Sequence, residues 1–186
     1  LDDASVLYAE PVYLYETFET PDDPQFGNQE HFAAVQAEQG WDITTGSPDV
    51  IVGIVDSGVD LDHPDLQANI WINEDEIADN GIDDDANGYV DDVYGWDFIG
   101  ASFDNIQPDN DPDQNTGSSH GTHVAGIAAA VGNNGLGITG MGWNLKIMVT
   151  KNSSDDESRS IGFGYQGIVY CADNGADIIN CSWGGG

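Results

Sequence analysis

The sequence predicts an α/β domain with a doubly wound, mostly parallel sheet and helices on both faces. Short runs rich in β-branched and other apolar residues at 50–55, 145–150 and 176–183 are typical of strands buried on both sides. Helical patterns at 120–131 and 161–174 lie between them, and such alternation favours a parallel sheet. A chain of 186 residues is long enough to bury one core of this kind.

The helical pattern at 120–131 begins with a histidine. We expect one face of this helix to pack on the core, because four apolar residues share it: Val124, Ile127, Ala128 and Val131. His120 would then lie on the first turn, at the edge of the core and within reach of solvent, which suits a proton-transfer group. For a histidine considered alone, the alternative is a helix that simply begins after a His-Gly turn.

Asp56 follows directly on the apolar run at 50–55. In open α/β sheets, functional sites form at the carboxyl ends of the strands. A carboxylate there and a histidine at a helix N-terminus can meet, and the carboxylate then fixes the tautomer of a general base. We therefore take Asp56 and His120 as the candidate catalytic pair.

The charge of the chain restricts its partners. Three Lys and Arg residues stand against 34 Asp and Glu residues, which gives a formal net charge of −31. Such a chain repels nucleic acid, and no apolar run approaches the length of a membrane span, so we expect neither partner. Some of the carboxylates are expected to bind divalent cations, and the others to keep the surface solvated.

An acidic loop at 79–92 has the spacing of a calcium site. Oxygen-bearing side chains occupy alternate positions from Asp83, and a glycine follows, as at the start of an EF-hand loop. The closing glutamate is missing, so Asp91 or Asp92 would complete an altered form of the loop. The predicted ligands are Asp83, Asp85, Asn87, the carbonyl of Tyr89, and Asp92. A merely solvated acidic loop is the alternative.

The two cysteines, Cys171 and Cys181, fall in a helical pattern and in a strand pattern, respectively. We expect two buried thiols, and a disulfide between the helix and the strand remains open as the alternative.

Three segments in order, VDSGVDLDHPDL, HGTHVAGIAAAV and IINCSWGGG, resemble the motifs of the subtilisin-like serine peptidases, or subtilases. The resemblance runs from about residue 20 to Gly186 and matches Asp56 to the family's aspartate and His120 to its histidine. It implies a serine endopeptidase with an Asp-His-Ser triad. No match to the serine motif or to the oxyanion-hole asparagine is present. We therefore expect a subtilisin-like fold truncated at the C-terminus and a 186-residue chain that is inactive alone.

The same resemblance implies residues for binding peptide and calcium. One edge of a peptide groove would be formed by Asp156, Glu157 and Ser158, and the other by Ser182, Trp183 and Gly184. A first Ca²⁺ site would take Asp23, Asp65, the side chain of Asn134, and the carbonyls of Val131, Leu136 and Ile138. One or two structural Ca²⁺ sites are therefore expected.

Residues 1–18 resemble the end of an inhibitory propeptide, and residues 19–186 the N-terminal part of the peptidase domain. The resemblance implies a secreted zymogen, with its own propeptide as inhibitor and proteins or peptides as substrates. An ordinary N-terminal strand is the alternative for residues 1–18.

Two other functions remain open at this stage. The first is a non-catalytic calcium-binding module of degenerate subtilase fold. The second is a metallohydrolase that uses His120, His123 and an aspartate. The HExxH arrangement is absent, however, so we expect His123 to be a buried, hydrogen-bonded residue.

Overall fold

The computed structural model describes residues 19–114, 118–156 and 159–185. The predictions for residues 1–18, Glu157 and Ser158 fall outside these ranges. The helices and strands, in chain order, are α1 (Glu30–Val35), α2 (Ala37–Trp41), β1 (Ile51–Asp56), β2 (Gly95–Asp97), α3 (His120–Ala129), β3 (Lys146–Lys151), α4 (Gly164–Asp173) and β4 (Ile178–Asn180). No helix within the described ranges has both the length and the apolar character needed to cross a membrane.

The four strands form one sheet in the order β2-β3-β1-β4, and each neighbouring pair is parallel. The two central strands, β1 and β3, contribute six residues each and pair along their whole length, so that Asp56 lies opposite Lys151. The predicted parallel sheet is confirmed. Its last strand is shorter than the predicted range 176–183, because pairing with β1 extends only over Ile178–Asn180.

Helices α3 and α4 pack on opposite faces of this sheet. One buried cluster joins β1 and β3 to α3 and contains Val52, Ile54, Val149, Ala125 and Ala129. The other joins the same strands to α4 and contains Val55, Met148, Tyr170 and Cys171. Successive strand residues point to opposite faces, so a strand rich in apolar residues throughout supplies both clusters. The predicted doubly wound arrangement is confirmed.

The buried face of α3 differs from the predicted stripe. Ala125 and Ala129 are completely buried, whereas Ile127 is 41% exposed, and the helix ends before Val131. Val124 and Ala128 of the predicted stripe do pack against the core and are partly buried. The fully buried residues of the helix, however, are alanine and glycine, because the helix lies close to the sheet. The part of the prediction that placed Ile127 in the core is therefore wrong.

The start of α3 touches the end of β1 through two glycines. A Cβ atom added at Gly121 would lie 2.2 Å from the carbonyl oxygen of Gly58 and 3.2 Å from the Cβ of Asp56. Only glycine allows the two backbones to approach this closely. The first turn of α3 is consequently held against the strand end that carries Asp56.

The cysteines are both free thiols, so the alternative of a disulfide between them is wrong. Cys171 is buried, as expected, against Gly53 of β1. Cys181 is exposed, because it follows the last paired residue of β4 at the edge of the sheet. The expectation of two buried thiols is therefore correct only for Cys171.

We expect Gly121→Ala to lower the free energy of unfolding by about 1–3 kcal/mol, because the new methyl group overpacks the contact with Gly58. Gly40→Ala is a matched control, since Gly40 also lies in a helix but has no neighbouring atom within 4 Å of an added Cβ. That control should be neutral or stabilising by up to about 1 kcal/mol. Urea unfolding of both variants provides the measurement, and equal effects would contradict this account of the close contact.

Candidate active site

Asp56 and His120 form a direct hydrogen bond. Asp56 is the last residue of β1 and His120 the first residue of α3, and their Oδ1 and Nδ1 atoms lie 2.6 Å apart. The carboxylate side chain is only 2% exposed, whereas the imidazole is 57% exposed. The buried carboxylate of Asp56 therefore binds Nδ1 of the imidazole and leaves Nε2 free. This arrangement suits a general base whose tautomer is fixed by the carboxylate.

A small network of hydroxyl groups supports this pair. The backbone N–H of Ser57 donates to Asp56 Oδ1 over 2.8 Å, while Ser57 Oγ accepts a hydrogen bond from the N–H of Gly121 over 3.1 Å. Ser118, which is also buried, donates its hydroxyl to Ser57 Oγ over 2.6 Å. The network fixes the start of α3 relative to Asp56. The sequence analysis did not identify Ser57 or Ser118, because serine spacing carries no signal for such a contact.

The pair opens into a cleft of about 560 Å³. Its lining includes the predicted substrate residues Ser182, Trp183 and Gly184 and two residues that sequence reasoning missed, Arg159 and Ile161. The Trp183 indole donates from Nε1 to the carbonyl of Val55 over 2.7 Å, which fixes this wall of the cleft to β1. Asp156 is exposed, and its Oδ1 accepts a hydrogen bond from Ser154.

The residues of the first predicted calcium site come together around the loop 131–138. Asp23 and Asp65 are buried, although they are distant in sequence. Asp23 accepts hydrogen bonds from the N–H groups of Asn133 and Asn134, and Asp65 accepts from Asn134 Nδ2 over 2.9 Å. Further contacts include the N–H of Ile138 donating to Asp65, and Val131 donating its N–H to the carbonyl of Asp65. In contrast, the Leu136 side chain is exposed, while its N–H donates to Asn134 Oδ1.

The second predicted calcium site contains a carboxylate that the spacing did not reveal. Carboxylate oxygens of Glu76, Asp83 and Asp85 lie within 4.8 Å of one another. Glu76 is buried and accepts the N–H groups of Asp84 and Asp91. Glu76 precedes the regularly spaced acids of the loop, so a search for alternating ligands does not find it.

Asp92 has a different environment from the three grouped carboxylates. It is completely buried, and its oxygens accept hydrogen bonds from Asn73 Nδ2 over 3.1 Å, from Asn87 Nδ2 over 3.0 Å and from the Tyr170 hydroxyl over 2.5 Å. Burial raises the pKa of the Asp92 carboxyl, although these hydrogen bonds favour its ionised form. Tyr89 packs edge-on against Tyr170. The described contacts therefore tie Asp92 and Tyr89 to α4.

His123 is exposed, so the expectation that it would be buried is wrong. It lines the cleft beside His120 and faces a neighbouring depression of about 440 Å³. A larger depression of about 730 Å³ lies at the opposite end of the sheet, where β1 and β3 begin. The larger depression holds no histidine, whereas the smaller cleft contains the Asp56–His120 pair. We therefore place the candidate active site in the smaller cleft.

Comparison with known proteins assigns this chain to a family. Residues 47–186 match the subtilase family. The chain is 36% identical over 167 residues to thermitase of Thermoactinomyces vulgaris, covering 89% of this chain and 48% of thermitase. It is also 36% identical over 185 residues to the halolysin-like extracellular serine protease Nep of Natrialba magadii, covering 99% of this chain and 30% of Nep.

A solved structure of a Pseudoalteromonas arctica protease agrees in fold with a TM-score of 0.67 and 28% identity, covering 90% of this chain and 51% of that chain. The chain thus spans half or less of the length of its two relatives, 48% of thermitase and 30% of Nep. The family match nevertheless covers most of the described residues, from before β1 to beyond β4. The chain therefore belongs to the subtilase family of serine peptidases.

Proposed function

We propose that this protein is a serine endopeptidase in which Asp56 and His120 are two members of an Asp-His-Ser triad. The observation that carries the proposal is the 2.6 Å hydrogen bond between buried Asp56 Oδ1 and exposed His120 Nδ1. The serine motif is absent from these 186 residues. In this proposal, polypeptide beyond Gly186 supplies the nucleophile and the oxyanion-hole asparagine.

The proposed chemistry follows from which imidazole nitrogen is free. With Nδ1 bonded to Asp56, His120 Nε2 faces the cleft and accepts the proton of the serine hydroxyl as the oxygen attacks the peptide carbonyl. His120 then donates that proton to the leaving amine. Asp56 holds the ring in place and stabilises the imidazolium that forms. The N–H of Ser57 and the hydroxyl network behind it keep the carboxylate oriented.

The cleft suits an extended peptide as substrate. We propose that the segment 156–158 and the segment 182–184 form its two edges, so that backbone hydrogen bonds hold the chain while side pockets select alternate side chains. The second edge lines the cleft, together with Arg159 and Ile161. A groove that binds mainly backbone groups accommodates many protein substrates.

We also propose that Ca²⁺ stabilises the fold at two sites. The first site uses Asp23, Asp65, Asn134 and loop carbonyls of 131–138, and its two buried carboxylates from distant segments support this assignment. The second uses Glu76, Asp83 and Asp85, and a bound cation there would offset the repulsion between the three neighbouring carboxylates. When bound, Ca²⁺ supplies that charge through six to eight oxygen ligands. The described contacts of Lys146 and Lys151 are with other groups: Lys146 Nζ donates to the carbonyl of Ala68, and Lys151 pairs with Asp97 and Asp155.

We also propose that the protein is secreted and that it carries an inhibitory propeptide. The relative Nep is named as an extracellular protease, which supports export of this protein. Residues 1–18 precede the peptidase domain and are proposed to be the end of an inhibitory propeptide. Cleavage is expected between residues 16 and 22.

We expect Asp56→Asn to abolish nearly all peptide hydrolysis by the full-length protein. In serine proteases the corresponding change lowers kcat by about 10⁴-fold, because the imidazole is held in the wrong tautomer. His120→Ala should be similarly inactive, whereas His63→Ala, which removes a partly buried histidine outside the cleft, should retain activity. Steady-state kinetics on a chromogenic peptide provide the measurement. Full activity of Asp56→Asn would refute the proposed triad.

For each occupied site, we expect Ca²⁺ to raise the free energy of unfolding by about 2.7 kcal/mol when its concentration is 100-fold above the Kd of that site. Asp65→Asn and Glu76→Gln should each reduce this gain, because each removes a ligand charge from one proposed site. Asp104→Asn, which removes an exposed carboxylate elsewhere, is the control. Urea unfolding with CaCl₂ and with a chelator measures the effect. An unfolding midpoint that does not respond to Ca²⁺ would contradict both sites.

A further inference from the structure

Arg159 is the single arginine of the chain and one of only three Lys and Arg residues. It is exposed and lines the cleft of the candidate active site. The two lysines lie elsewhere: Lys151 is buried at the end of β3, and Lys146 lines the larger depression at the opposite end of the sheet. Of the three residues, all of which the structure describes, Arg159 alone lines the cleft.

The cleft is poor in carboxylates, although the chain carries 34 acidic residues. Among the described residues that line it, one is acidic: Asp56, which is 1% exposed and bonded to His120. The larger depression, by comparison, is lined by four acidic residues: Glu74, Asp75, Asp85 and Asp173. The exposed charge among the described residues of the cleft is therefore positive, in a protein whose formal net charge is −31.

A guanidinium group suits a carboxylate ligand. It is planar, stays protonated and presents five N–H donors, two of which can bind both oxygens of one carboxylate. Five donors also allow it to bind a ligand while it keeps a contact within the protein. Peptides offer carboxylates on their aspartate and glutamate side chains, so an acidic side chain is the matching group for Arg159.

The other described residues of the lining compete only weakly for such a side chain. Ile161, Trp183 and Gly184 carry no charge, and the Trp183 Nε1 already donates to the carbonyl of Val55. The hydroxyl of Ser182 donates to Asn180 Oδ1. A hydrogen bond between ionised groups is roughly twice as strong as one between neutral groups. The position of Arg159 therefore decides where a carboxylate binds.

The remaining carboxylates of the protein repel an acidic peptide only at long range. At an ionic strength of 0.15 M, exposed charges are screened over about 8 Å. A direct contact between a guanidinium and a carboxylate is shorter than this distance and persists. At this salt concentration the local charge of the cleft therefore outweighs the net charge of the protein.

We propose that Arg159 is a specificity-determining residue, which binds an aspartate or glutamate side chain of the peptide substrate in the cleft. The inference rests on the proposed function, because it assigns a peptide substrate to that cleft. It implies selection by charge. An acidic side chain is favoured over its neutral isostere, and a basic one is disfavoured because the guanidinium repels it.

The test uses the full-length protein at 0.15 M NaCl, where surface charges are screened. The parent peptide spans a bond that the protein cleaves in denatured casein, and Glu, Gln or Lys replaces each residue near that bond in turn. Mass spectrometry identifies the cleaved bond, and product chromatography gives kcat/KM. We expect one position at which kcat/KM for Glu exceeds that for Gln by about fivefold, which corresponds to about 1 kcal/mol.

Substitutions of Arg159 should change this preference. Arg159→Gln should bring the Glu-to-Gln ratio at that position close to one, and Arg159→Glu should reverse the preference in favour of Lys. Each ratio is taken within one variant, so any general effect of the substitution on turnover or folding cancels. Lys146→Gln is the matched control, because it makes the same charge change at the opposite end of β3 and should leave the ratio unaltered.

Two outcomes would overturn this inference and leave the proposed function intact. One is a Glu-to-Gln ratio near one at every position for the unsubstituted protein. The other is a Glu preference that persists in Arg159→Gln. Failure of the unsubstituted protein to cleave casein would overturn the proposed function, and this inference with it.

Discussion

The site depends on one close contact, in which the first turn of α3 lies against the carboxyl end of β1. The absence of a side chain at Gly121 allows the helix to meet the carbonyl of Gly58, and the hydrogen bond between Asp56 and His120 lies beside this contact. Asp56 is the last residue of the central strand β1 and pairs with Lys151 of β3, so the sheet fixes its position. The exposed partner is the imidazole, which needs only an orienting acceptor. The same contact therefore holds Asp56 in place on one side of the imidazole and leaves the other side of the ring exposed.

The second constraint is the large excess of carboxylates. With three basic residues against 34 acidic ones, most carboxylates have no cationic partner. Several buried ones are stabilised by N–H and amide donors, as Asp23, Glu76 and Asp92 illustrate. A basic partner is used at one described buried acid, Asp97, beside the site. That cation, Lys151, lies at the end of β3, directly opposite Asp56 in the sheet.

Much of the fold and part of the site could be predicted from local pattern. β-Branched runs located β1 and β3, and with β1 the position of Asp56 at a strand end. The helical pattern at 120–131 placed His120 at a helix start. Glu76 and Arg159 could not be found in this way, because they reach their sites through folding of irregular segments. The error at Ile127, which lies within a helix, has a different cause. Side-chain size indicated burial there, but the distance between helix and sheet admits only small residues.

The sequence by itself predicted three of the four strands, helices α3 and α4, the parallel sheet, the family and the candidate Asp-His pair. These depend on periodicity and on short motifs, which are local properties of the chain. Only the tertiary structure decided which distant groups meet: Lys151 with Asp97 and Asp155, Ser118 with Ser57, Glu76 with Asp83 and Asp85, and an exposed rather than a buried Cys181. Such pairings arise from the packing of loops against the sheet, where contacts between residues far apart in sequence leave no periodic trace.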